Sequence, residues 1–151
     1  MNIAEKVKDM GLELPAISSP GGNYVSLNIR NKIAYLAIQF PALNKIFSFQ
    51  GRLGAEFTTE EGYKAFQQCA LNVLSHLHHK IGIEDIEGMN HMDAYYQLAN
   101  DWDEGRIAVD GASDLFTKVL GDKGTHSRAI FGVERLPRNF VAGITCTFTL
   151  K

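Results

Sequence analysis

The most regular alternation of apolar and polar residues lies near the carboxyl-terminal end of the chain, over residues 140–150. One set of alternating positions is apolar throughout: Phe140, Ala142, Ile144, Cys146, Phe148 and Leu150. The other set is Val141, Gly143, Thr145, Thr147 and Thr149. Because strand side chains point alternately to the two faces of a sheet, this pattern predicts a strand with one face in the core.

A repeat of three and four residues marks a long helix in the middle of the chain. Thr58 and Glu61 have the spacing of a capping box at its start, and Gly82 follows its end. The apolar residues that repeat between them are Tyr63, Phe66, Ala70, Val73, Leu74, Leu77 and Ile81. A second helix is predicted over residues 111–120 and a short one over residues 3–10.

The remaining periodic segments predict strands. They are residues 24–30 and 32–40, joined as a hairpin, and residues 46–49, 86–98 and 127–134. The whole order predicts a single domain, residues 1–151, of the α+β class. It has one mostly antiparallel sheet of about six strands, with two main helices on one face and a short amino-terminal helix.

The last two strands predict what lies on the face of the sheet away from the helices. If Phe131 faces the core, then Arg128 and Ile130 point the other way and share that face with Gly143 and the threonines of the last strand. A face that is half apolar needs a partner surface, so we expect a closed homo-oligomer.

Composition narrows the class of protein. The 151 residues are 45% hydrophobic and 21% charged, with a net charge of -2, so a basic surface for nucleic acid is not expected. No apolar run is long enough for a membrane span, and the amino-terminal residues lack the apolar segment of a secretory signal. Cys69 and Cys146 lie in apolar contexts and are predicted to be buried free thiols, so we expect a cytoplasmic protein.

Three segments together resemble one known family. They are TTEEGYKAFQQCALNVLSHL at 58–77, GASDLFTKVLG at 111–121 and HSRAIFGVERLP at 126–137. The chain is similar to the Rid/YjgF family of reactive-intermediate deaminases, also called endoribonuclease L-PSP or chorismate mutase-like proteins. The resemblance implies a chorismate mutase-like fold and a homotrimer. In that trimer the non-helical faces of three sheets meet, and the ligand clefts lie between subunits.

The resemblance also implies a chemistry. In that family an arginine at the position of Arg128 binds the substrate carboxylate, as a rigid charged fork can. The reaction is hydrolysis of a small 2-imino or 2-enamino acid to a 2-keto acid and ammonia, and we expect no cofactor and no metal. Tyr24 matches a tyrosine near the cleft mouth, Gln39 matches a family glutamine, and His126 matches a subgroup histidine that either contacts the ligand or supports a residue that does.

The chain departs from the family pattern at several positions. Gly143 stands where the family has its acid on the last strand, and Ile130 stands where a cysteine is common. Ala37 and Ile38 replace a Ser-Gly pair, and Asp110 replaces an asparagine. The carboxylate anchor is therefore kept, whereas much of the polar shell of the deaminase is not.

Several residues have two interpretations. Arg128 is either the carboxylate anchor or a structural ion-pair residue, with Glu134 as one possible partner. Asp110 and Asp93 are candidates for a replacement acid, although Asp110 also suits the N-cap of the second helix and aspartate is disfavoured inside a strand, where Asp93 lies. The histidines near the end of the long helix, His76, His78 and His79, are interpreted as a solvated helix end rather than a metal site, since no third ligand beside His76 and His79 is evident. We identify no serine or cysteine nucleophile with a paired base.

Three functions follow from these observations. The first is an imine or enamine deaminase that uses Arg128 in an intersubunit cleft. The second is a trimeric protein that binds a small carboxylate and catalyses nothing. The third, an endoribonuclease, is disfavoured because the net charge gives no electrostatic basis for RNA affinity.

Overall fold

The computed structural model describes residues 1–43 and 46–151. Its helices are α1 (Ile3–Asp9), α2 (Thr59–Lys80) and α3 (Gly105–Leu120). Its strands are β1 (Leu27–Arg30), β2 (Ile33–Gln39), β3 (Ile86–Gln97), β4 (Ser127–Val133) and β5 (Ala142–Leu150). The sheet has the order β1-β2-β5-β3-β4, and all neighbours are antiparallel except β3 and β4. The predicted α+β class and mostly antiparallel sheet are confirmed.

The core lies between the two long helices and one face of the sheet. Its largest fully buried side chains include Phe66 of α2, Phe116 of α3, and Ile144 and Phe148 of β5. The capping box at Thr58 starts α2 as predicted. The apolar set predicted over residues 140–150 is buried except for Leu150, which is partly buried, and both cysteines are buried and free. In the part of the chain that is described, no helix could cross a membrane.

The sheet has five strands in the described ranges instead of about six. Residues 46–49 do not form the predicted strand: Ile46 makes an isolated bridge to Leu43, and Gln50 makes one to Phe140. The backbone carbonyl of Phe49 accepts a hydrogen bond from the amide of Val141, 2.9 Å away. Isolated backbone contacts, two of them to the residues just before β5, therefore hold this segment, and it forms no continuous strand pairing.

Helix α3 begins at Gly105, so the predicted start at residue 111 is wrong. Asp110 lies in the second turn of the helix and is not its N-cap. Gly111 is inside the helix, where a Cβ atom would lie only 1.9 Å from the backbone oxygen of Tyr63 on α2. The sequence GASD is therefore a point where two helices approach closely, and glycine is needed there for packing rather than as a boundary.

The two faces of β4 are the reverse of those predicted: the side chains expected on the open face point toward the helices. Arg128 pairs in register with Met92, which is fully buried, so the Arg128 side chain points toward the helix layer. Ile130 also packs against the core, whereas Phe131 lies on the open face, stacked on Tyr95 with ring centroids 5.2 Å apart. At this edge of the sheet, α3 presents polar groups to β4, and the arginine meets them.

Candidate functional site

A cavity of about 570 Å³ lies where the amino-terminal segment 16–21 crosses the end of β2. Its other walls come from α2 and from residues 137–140 before β5. Three phenylalanine rings line it together with Tyr24: Phe40 and Phe140 stack with centroids 5.0 Å apart, and Phe47 meets Phe140 edge-on at 5.7 Å. The cavity surface is therefore more apolar than polar, and polar side chains from several elements, among them His76 and Arg138, also line it.

His76 on α2 is a polar group without a partner in the cavity wall. It is 1% exposed, and neither ring nitrogen has a hydrogen-bond partner among the described residues. Burial, with further effects of Lys80 and His79, lowers the pKa of His76 to about 4. The ring is therefore neutral at pH 7, with one nitrogen that donates and one that accepts. Leaving such a group unpaired costs about 1–3 kcal/mol, which a bound molecule could recover.

The prediction of a solvated helix end is therefore wrong for His76, which is buried. His79 instead directs its Nδ1 atom to the backbone oxygen of Ser75, at 2.8 Å. Within residues 1–43 and 46–151, no group of three or more potential metal ligands is present.

Arg138 brings a positive charge to the cavity from a strained turn. Its φ is 54° and that of Asn139 is 60°, in the left-handed region that non-glycine residues seldom adopt. Surrounding hydrogen bonds hold this backbone: the Gln97 amide donates to the Asn139 side chain at 2.9 Å, and the Gln50 amide donates to the Arg138 carbonyl at 2.8 Å. The guanidinium carbon of Arg138 lies 4.6 Å from the ring centroid of Phe47. Strain fixed in this way is typical of functional sites.

Two of the predicted contact residues, Tyr24 and Gln39, line the cavity. The hydroxyl of Tyr24 accepts a hydrogen bond from the backbone amide of Gly21 at 3.1 Å, and its ring is half exposed. Gln39 is buried, and its amide nitrogen donates to the carbonyl of Ala37 at 3.2 Å. Ala37 and Ile38, which depart from the family pattern, lie in the same wall.

Arg128 lies elsewhere, in a shallower cleft of about 320 Å³ between α3 and β4. Its Nη1 atom donates to Asp110 Oδ1 at 2.8 Å and to Ser113 Oγ at 3.1 Å. Its Nη2 atom donates to the backbone oxygen of Arg106 at 3.1 Å. The ion-pair partner of Arg128 is thus Asp110, whereas Glu134 pairs with Arg52.

His126 completes this cleft. Its Nδ1 atom is 2.6 Å from the backbone oxygen of Gly124, which can only accept, so Nδ1 carries the proton. Its Nε2 atom is then free to accept the hydroxyl proton of Ser113, 3.0 Å away. The fold therefore pairs a serine with a histidine, although the sequence gives no indication of such a pair.

Asp93 lies on the open face of the sheet, away from Arg128 and Asp110. It pairs in register with Thr145, which is two residues from Gly143 on the same face of β5. Its Oδ1 atom accepts from His91 Nε2 at 2.9 Å, and His91 Nδ1 lies 2.7 Å from Ser127 Oγ. Gly143 itself is covered, since a Cβ atom there would lie 3.0 Å from a methyl carbon of Ile38.

The predicted site residues therefore form separate groups in one chain. Tyr24 and Gln39 line the cavity, whereas Asp110, His126 and Arg128 line the cleft, and no residue lines both. Sequence reasoning did not identify His76 or Arg138 as site residues. His76 could have been found, because it falls on the same buried helix stripe as Cys69 and Val73, but nothing in the periodicity indicates Arg138.

This α+β fold has one layer of helices on a mostly antiparallel sheet and a cavity beside the end of β2, and it is the fold of a known family. The family described as "YjgF/chorismate mutase-like, putative endoribonuclease" matches residues 4–148. The chain belongs to this family.

Several relatives are similar over nearly the whole chain. Protein TCP17 of Trypanosoma cruzi is 30% identical over 137 residues, which cover 89% of this chain and 86% of that protein. The structure of a "putative endoribonuclease" from Shewanella oneidensis is 28% identical with a TM-score of 0.94, covering 99% of this chain and 100% of that one. E. coli TdcF, solved with bound serine, shares the fold at 14% identity and a TM-score of 0.61, with 88% and 92% of the two chains covered.

Proposed function

We propose that this protein binds a small organic acid in the cavity. The observation that carries this proposal is His76, a residue of the cavity wall whose two buried ring nitrogens have no partner among the described residues. The apolar body of the ligand would lie against the aromatic wall, its carboxylate would meet Arg138, and a polar atom of the ligand would pair with His76. Arginine suits a carboxylate because its N–H groups form a planar fork.

The size and the lining of the cavity support a ligand with an apolar or aromatic body. A volume of about 570 Å³ lies within the roughly 300–1,000 Å³ of small-molecule sites, which are mostly apolar with a few convergent polar groups. The serine bound in TdcF is a small carboxylate on the same fold, which is consistent with this class of ligand.

Binding is tested by calorimetry with phenylpyruvate, benzoate and the neutral analogue benzamide. Wild-type protein should bind the two carboxylates and not benzamide. Arg138→Gln should weaken binding by about tenfold or more, as expected for a charged hydrogen bond. Arg135→Gln is the matched control, since Arg135 is exposed and does not line the cavity. The proposal fails if no carboxylate binds, or if both arginine variants weaken binding equally.

We also propose the homotrimer, formed through the open face of the sheet. Tyr35 and Phe131 lie on that face and are 48% and 44% exposed, a large apolar exposure for a solvated surface. Light scattering should give three times the chain mass for wild type and a lower mass for Phe131→Glu.

Deamination is a second candidate, favoured by the His91–Asp93 pair on the same face as Gly143. Asp93 would take a proton from the water that attacks an imine carbon and return it to the leaving nitrogen, giving a 2-keto acid and ammonia. Arg128 of the same chain lies on the other face of the sheet, with part of its guanidinium occupied by Asp110, so the substrate carboxylate would be held by Arg128 of a neighbouring copy.

The assay for deamination measures 2-keto acid released from imines that an amino-acid oxidase generates in situ, with semicarbazide as a competing trap. Wild type should accelerate release above the buffer rate, whereas Asp93→Asn and Arg128→Ala should not. An equal rate with and without wild-type protein would exclude deamination and leave carboxylate binding as the only proposed function.

A further inference from the structure

We infer that the cleft between α3 and β4 is a second, separate site, in which Ser113 is a nucleophile and His126 its base toward short-chain carboxylic esters. This site shares no residue with the cavity and does not depend on carboxylate binding there, although it contains Arg128, which the deamination candidate also uses. It rests on four features of the cleft: a serine–histidine hydrogen bond, an oriented histidine, an adjacent cation and space for a small molecule.

The first two features are the geometry of the pair. Ser113 Oγ lies 3.0 Å from His126 Nε2, within the distance over which a base removes a hydroxyl proton. The backbone oxygen of Gly124 lies 2.6 Å from Nδ1 and fixes the tautomer with Nε2 unprotonated. A carbonyl thus takes the orienting part that a carboxylate takes in a Ser-His-Asp triad.

The third feature is Arg128. Its Nη1 atom donates to Ser113 Oγ at 3.1 Å, so a positive charge lies where it favours ionisation of the hydroxyl. Asp110 and the carbonyl of Arg106 hold the guanidinium in place. The Nε–H and one Nη2–H have no partner among residues 1–43 and 46–151, so they are available to an oxygen that gains charge beside Ser113.

The fourth feature is the shape and lining of the cleft. About 320 Å³ of space is bounded by the four residues of the cluster and by Thr117 and Thr125. None of the lining residues is Phe, Tyr, Trp, Leu, Ile, Val or Met, so a long acyl chain would meet no large hydrocarbon side chain there. This favours acetyl and similarly short acyl groups.

The reaction proceeds in two halves. Ser113 Oγ forms a bond to the ester carbonyl carbon, its proton passes to His126 Nε2, and the carbonyl oxygen becomes an oxyanion beside Arg128. The bond to the alcohol oxygen then breaks, and that oxygen takes the proton from His126. Water attacks the acyl-Ser113 carbon, gives one proton to His126, and releases the acid as that proton returns to Ser113. The net change is ester plus water to acid plus alcohol.

The chain contains a matched control for this site. Ser127 Oγ also lies close to a histidine, at 2.7 Å from His91 Nδ1. That pair is on the exposed face of the sheet, outside both the cleft and the cavity. Reactivity at Ser113 but not at Ser127 would therefore depend on the cleft and not merely on a serine–histidine contact.

The test is covalent labelling of the folded protein with a fluorophosphonate, mapped by mass spectrometry, together with hydrolysis of p-nitrophenyl acetate. Wild type should carry the adduct on Ser113, and Ser127→Ala should be labelled equally. Ser113→Ala should lose the adduct and about 100-fold or more of the hydrolysis rate above buffer, the lower end of what a general base and nucleophile supply. His126→Gln should slow labelling of Ser113 by a similar factor.

Two results would overturn the inference. One is the absence of an adduct at Ser113 in folded wild type, which needs no variant. The other is hydrolysis by Ser113→Ala at the wild-type rate. Neither result would affect carboxylate binding in the cavity, so failure of this site and failure of the proposed function are distinguishable.

Discussion

Replacing His76 by leucine should change how the stability of the protein depends on pH. His76 is 1% exposed and its pKa is lowered from 6.5 to about 4 in the folded chain. In the unfolded chain the ring regains its ordinary pKa. Above that value both states are neutral, so His76 adds no pH dependence there.

Below pH 6.5 the unfolded state binds a proton that the folded state does not bind, so the free energy of unfolding falls. The loss is about 1.4 kcal/mol per pH unit, which gives about 2 kcal/mol at pH 5 and about 3 kcal/mol near pH 4. His76→Leu removes this titration. It also removes an unpartnered buried polar group, so at pH 7 the variant should be at least as stable as wild type.

The assay is urea unfolding of both proteins at pH 7 and pH 5, analysed as the difference between them, so that groups common to both cancel. The difference should grow by about 2 kcal/mol in favour of the variant as the pH falls. Equal pH dependence would refute the burial of an uncharged ring. A loss of several kcal/mol by the variant at pH 7 would mean that His76 has a structural partner.

Three further predictions concern the packing, the thiols and the surface charge. Gly111→Ala should destabilise the fold by about 3 kcal/mol in urea unfolding, because its Cβ would lie 1.9 Å from the Tyr63 carbonyl oxygen; a loss below about 1 kcal/mol would contradict this helix contact. Cys69 and Cys146 should resist Ellman's reagent in the folded protein and react in urea, because burial raises the pKa of both thiols; fast reaction without urea would contradict their burial. With a net charge of -2, the protein should neither bind nor cleave single-stranded RNA at physiological salt, and salt-dependent cleavage by pure protein would restore the endoribonuclease hypothesis.

The fold could be predicted where a periodic pattern coincided with a clear boundary. The capping box at Thr58 located the start of α2, and the alternation over residues 140–150 located β5 with its buried face. The predicted start of α3 is wrong, because Gly111 allows two helices to pack closely and does not mark the start of the helix. The prediction of which face of β4 is buried is wrong, because this edge strand carries apolar residues on both faces. Apolar character alone therefore does not show that Phe131 is exposed and Ile130 packs on the core.

The candidate site was less accessible to sequence reasoning. The family resemblance predicts Tyr24 and Gln39 as contact residues, and both line the cavity. The Ser113–His126 pair joins α3 to the residue just before β4, so only the fold brings its members together. Arg138 depends on a left-handed turn held by distant side chains, and no local pattern encodes that turn.

The most direct test of carboxylate binding in the cavity is a long-range proton–nitrogen correlation spectrum of the histidine rings during a titration with phenylpyruvate. The account predicts that the two ring nitrogens of His76 shift in a saturable way, with the midpoint set by the calorimetric affinity, because a ligand supplies the partner that the fold leaves out. The ring nitrogens of His91, on the open face, should not shift. Binding without any change at His76 would contradict the account.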